Sequence, residues 1–158
     1  MRTILAAIFV FATLAVSGQQ EKDTVLSRCP VFITDTVSAN NFFLELQPAT
    51  VKVYRDHGKL RVQVQQRDQF LTVFFRDKKL KSTKYRITAA ADGKDEVEAK
   101  YSFRSGGSAS FVALSSGIVE SVFDESKELW KIKINGMLAN MVERGVTYYK
   151  VRAEFYIR

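Results

Sequence analysis

The chain carries one histidine, and its neighbours limit what that histidine can do. His57 stands in Asp56-His57-Gly58. A serine or cysteine nucleophile needs such a base, itself held by a third group. No Gly-x-Ser-x-Gly elbow accompanies it; Gly107-Ser108-Ala109-Ser110 is only a serine-rich turn. His57 beside glycine therefore reads as a turn residue. Chemistry without histidine would use two carboxylates across a cleft. Glu96 and Glu98 stand two apart, which on a strand puts both on one wet face. A hydrolase of unrecognised type would require two acids to converge in a cleft.

Metal chemistry has little to draw on. Zinc favours Cys and His, and the chain has one of each. Asp92, Asp95 and Glu96 lack the alternating oxygen ligands of a calcium loop, and Lys94 sits among them. No Gly-rich phosphate loop leads from a strand into a helix. The sequence thus names no catalytic residue, no metal ligand and no cofactor, and the expectation is a protein without enzymatic activity.

Charge and aromatic residues say more. With 24 Lys and Arg against 17 Asp and Glu, the net charge is +7. Lys78, Lys79, Lys81 and Lys84 fall within seven residues on an expected turn, and Arg76 and Arg86 could extend the patch. Such a cluster suits an anionic partner such as a sulfated polysaccharide, held by counterion release. The plainer role for turn and edge lysines is to keep the protein soluble and its edges unpaired. In Phe70-Leu71-Thr72-Val73-Phe74-Phe75 both faces of a strand are apolar. Phe42 and Phe43 point oppositely in the same way, as do Tyr148 and Tyr149. Such a strand is covered on both sides, or it offers a pocket or an interaction face.

The elements that must carry these residues are strands. Leu60, Val62 and Val64 alternate with Arg61, Gln63 and Gln65; Val97, Ala99, Tyr101 and Phe103 alternate with polar residues; Tyr149 to Ile157 does the same. A period of two marks a strand with one face on a core. Turns at 55–59, 76–81, 91–94 and 124–127 separate the runs. Strands are expected near 30–35, 42–46, 50–55, 59–66, 70–76, 83–90, 95–104, 110–114, 117–123, 128–135 and 146–157. Gly136 to Gly145 reads instead as one or two helical turns or a packed loop, with apolar residues three to four apart and a Gly at each end. Short loops predict antiparallel pairing. The fold class is all-β: a single-domain antiparallel β-sandwich over 29–158, immunoglobulin-like in the broad sense, or alternatively a closed antiparallel β-barrel. A hydrophobic content of 46% excludes a disordered chain.

Residues 1–18 read as a signal peptide: Arg2, an apolar run from Ile4 to Val16, then Ser17-Gly18. That run is too short to span a membrane. Residues 19–28 read as a flexible lead-in. The protein is accordingly expected outside the cell, with no transmembrane segment and no nucleic-acid partner. One cysteine cannot form an internal disulfide, so Cys29 is either buried or pairs two chains into a dimer. The functional expectation is a secreted binding protein for an anionic partner. The alternative is a carrier of a small hydrophobic ligand, such as a lipid, in a cavity of the β-fold.

Overall fold

Period-two patterning becomes ten strands in the computed structural model, which describes residues 23–26, 28, 31–37, 48–142 and 145–158. They are β1 (Thr24–Leu26), β2 (Val31–Asp35), β3 (Ala49–Asp56), β4 (Lys59–Gln66), β5 (Gln69–Phe75), β6 (Thr83–Ile87), β7 (Glu96–Ser105), β8 (Ser108–Asp124), β9 (Leu129–Val142) and β10 (Gly145–Ile157). No helix occurs among the described residues, so none is long and apolar enough to cross a membrane. In β4 the mechanism is plain. Leu60, Val62, Val64 and Gln66 are buried, while Lys59 and Arg61 are exposed. β-branched residues on the inner face pack well on a pleated surface.

All ten strands belong to one open sheet in the order β1-β3-β4-β5-β7-β6-β8-β9-β10-β2. Its inner faces share one core, which runs from Val31 and Ile33 on β2 through Val51 on β3 to Phe155 and Ile157 on β10. Strands from both ends of the order meet in that core, so the sheet curls over itself. Among the described residues β1 and β2 remain edges, and the closed barrel does not form.

Three segments depart from the sequence reading. Gly136–Val142 is not helical; it continues β9, paired with β8 on one side and β10 on the other. Helical spacing lost because both neighbours offered a backbone ladder, and Gly136 fits where a side chain would not. The two strands expected at 110–114 and 117–123 are one strand, β8, with a bulge between Leu114 and Ser116. The bulge lets β8 leave β7 and take up β6. The pairing is not wholly antiparallel, since β6 runs parallel to β7 at Arg86–Glu96 and Ile87–Val97. Thr24–Leu26, expected within a flexible lead-in, pairs with β3 through Leu26↔Ala49. Residues 1–18, Cys29 and the strand expected at 42–46, with Phe42 and Phe43, lie outside the described residues.

Candidate functional site

Antiparallel strands put their hairpins at two ends of the sheet, and that sorts the candidate residues. At one end lie the β3–β4 turn with His57 and the β5–β6 loop with the lysines. At the other lie the β4–β5 turn, Arg67-Asp68, and the β7–β8 turn, Gly106-Gly107. The eight residues of β4 separate these ends by about 23 Å at the usual strand rise. His57 and Ser108 therefore cannot form a nucleophile–base pair.

The lysine loop is held firmly by its backbone. Arg55 Nε donates to the Lys78 carbonyl at 3.3 Å, and the Lys81 amide donates to the Tyr85 hydroxyl at 3.2 Å. The fully buried Ser121 hydroxyl donates to the Lys81 carbonyl. Lys78, Lys79, Lys81 and Lys84 are all exposed, yet two of them face acids. Lys81 Nζ lies 2.7 Å from Asp77, and Lys84 Nζ lies 3.9 Å from Glu120. The Asp77 hydrogen bond and charge push the Lys81 ammonium pKa up. The loop thus carries less free charge than four lysines in seven residues suggest.

The acids at the β6–β7 turn act on the turn itself. Glu96 Oε2 accepts from the Gly93 amide at 2.8 Å and the Asp92 amide at 3.0 Å, and Oε1 accepts from Arg86. The Gly93 amide, then Arg86, then the Asp92 amide hold the Glu96 carboxyl down to about 2. Its oxygens are committed to the turn and Arg86, and no group of three metal-ligating side chains occurs among the described residues.

The concavity at the far end has another character. A cavity of about 470 Å³ is lined by Ile33, Val112, Leu138, Tyr101, Phe103 and Tyr149, with Gln66, Arg67, Asp68, Gln69 and Arg104 completing its wall. These come from seven strands and the β4–β5 turn, so only the curled sheet assembles it. Gln66, 1% exposed, ends the inner row of β4 and brings an amide to the apolar wall. Tyr101, partly buried, has its phenol pKa raised by desolvation. Arg67 holds a left-handed backbone (φ 50°) in the tight turn. The sequence did not place this site, because its parts lie more than a hundred residues apart.

The outer face resolves the doubly apolar β5. Leu71, Val73 and Phe75 are buried in the core, whereas Phe70 and Phe74 lie on the opposite, half-buried face. There, cations stand over rings: Arg61 over Tyr54 at 4.2 Å, Lys100 over Phe74 at 5.3 Å, and Arg104 over Phe70 at 5.6 Å.

Comparison with protein-family models, with curated proteins and with solved structures finds no match.

Proposed function

We propose that the protein is a non-enzymatic binding protein that holds a small amphipathic molecule in the cavity at the β4–β5 end. The cavity itself carries this reading. Its volume lies in the range of small-ligand sites, and six of its eleven lining residues are apolar or aromatic. Ile33, Val112 and Leu138 would take an apolar body, and Gln66 and Gln69 would orient a polar head. On this reading the curled sheet acts as two facing layers, the sandwich expected from the sequence, with the ligand between them at one end. A leader at 1–18 would place the carrier outside the cell, where apolar molecules need transport through water.

A titration with 1-anilinonaphthalene-8-sulfonate and with an unbranched fatty acid tests the reading. Saturable binding at one molecule per chain is expected. Val112→Trp, which fills the cavity from a partly buried position, is expected to weaken it at least tenfold with the fold intact by circular dichroism. Absence of saturable binding, or equal binding by folded Val112→Trp, contradicts it.

A further inference from the structure

The outer face of β3, β4, β5, β7 and β8 carries a second candidate site, which meets the cavity wall only at Arg104. Register builds it in three rows that run across the strands. One row is Tyr54, Arg61, Phe74 and Glu98. The middle row is Lys52, Gln63, Thr72, Lys100 and Ala113. The third is Thr50, Gln65, Phe70, Ser102 and Phe111. Rings thus flank a polar, lysine-bearing row on both sides. Four strand spacings make the middle row about 19 Å long, and the aromatic rows stand about 13 Å apart. Phe111 is 69% exposed, a large apolar side chain left in water at the end of its row.

From this arrangement we infer that the outer face binds a linear anionic polysaccharide lying across the strands along the middle row. A sugar chain has apolar ring faces, hydroxyl groups and spaced acidic groups. Phe111, 69% exposed, offers apolar surface to the first. Gln63 and Gln65 offer amides to the second, and Gln63 Nε2 already donates to the Thr72 hydroxyl at 3.2 Å. Lys52, Arg61, Lys100 and Arg104 meet the third. Two acids temper these four cations: Asp23 lies 3.9 Å from Lys52, and Glu98 lies 3.2 Å from Lys100. Such modest charge complements a chain with an acid every few residues. A polynucleotide carries a charge on every residue and binds by stacking bases on open ring faces. Here a cation already stands over each of the four rings, Lys100 lying 5.9 Å from the Phe111 centroid as well as over Phe74.

Affinity electrophoresis through gels containing hyaluronate or unsulfated chondroitin, each with one carboxylate per two sugars, tests the assignment, with oligo-deoxythymidylate as competitor. Retardation by at least one of the two polysaccharides is expected. It should fall at least tenfold in apparent affinity for Arg61→Ser combined with Lys100→Ser, and severalfold for Phe111→Ala. Lys78→Ala combined with Lys79→Ala should leave it within twofold. Melting temperatures close to wild type confirm that the variants fold. Phe111→Ala removes only an exposed side chain, so its result stands even if the double variant misfolds. No retardation by either polysaccharide overturns the proposal. So does loss that follows Lys78 and Lys79 instead, or preferential binding of the oligonucleotide.

Discussion

Gly117 on β8 lies directly opposite Gly136 on β9, so close that a Cβ on Gly117 would stand 2.5 Å from the Gly136 Cα and 2.3 Å from the Asn135 carbonyl oxygen. Gly117 also holds φ +139°, a conformation side chains disfavour. It follows the Leu114/Ser116 bulge, where β8 bends to change partners. Gly117→Ala should therefore destabilise the fold by about 1–3 kcal/mol, through strain and overpacking together. Gly145→Ala is the control, because its Cβ meets nothing within 4 Å. It should change stability by less than about 0.5 kcal/mol. Thermal unfolding of the two variants checks the contrast.

Leu114 and Gly136 should be coupled. Leu114 is fully buried, and its Cδ2 lies 2.7 Å from where a Gly136 Cβ would stand. Leu114→Ala alone should cost about 2–5 kcal/mol by leaving a cavity. Gly136→Ala alone forces Leu114 aside. Combined, the second substitution partly fills the space the first opens, so the double variant should be more stable than the two losses predict by at least about 0.5 kcal/mol. Denaturant unfolding of the four proteins measures the coupling, and simple additivity contradicts it.

Glu96 should give the fold an acid-sensitive contribution. Its pKa is lowered from 4.5 to about 2 by the Gly93 and Asp92 amides and Arg86. A depressed carboxylate pKa stabilises the fold fully above the unfolded value, and that stabilisation is lost as pH falls from about 4.5 through about 2. Glu96→Gln should lower the melting temperature at pH 7 and narrow its gap to wild type as pH falls through that window. A constant gap between pH 7 and pH 2 contradicts this assignment.

Local alternation made most strands legible. The 59–66 run became β4 residue for residue, and those near 50–55, 95–104 and 146–157 shifted by a residue or so. Gly136–Val142 was misread because its apolar residues also fit a helical period, and only pairing with β8 and β10 decides between the two. Thr24–Leu26 is too short for a pattern; its pairing with β3 makes it a strand. The charge of the lysine loop was legible, but its discount was not, since Glu120 lies far from Lys84 in sequence. Phe70 and Phe74 were legible as a pair sharing one face of their strand, whereas the cations over them come from β7, some thirty residues on. The cavity left no local signal, because its wall is built by the curl of the sheet.

Native mass spectrometry of the protein purified from its natural source tests the occupied cavity most directly. The account predicts a fraction of chains carrying one non-covalent small apolar adduct, displaced by excess fatty acid and missing from Val112→Trp expressed in the same source. Wild-type chains that bear no adduct and take up none when fatty acid is added would contradict it.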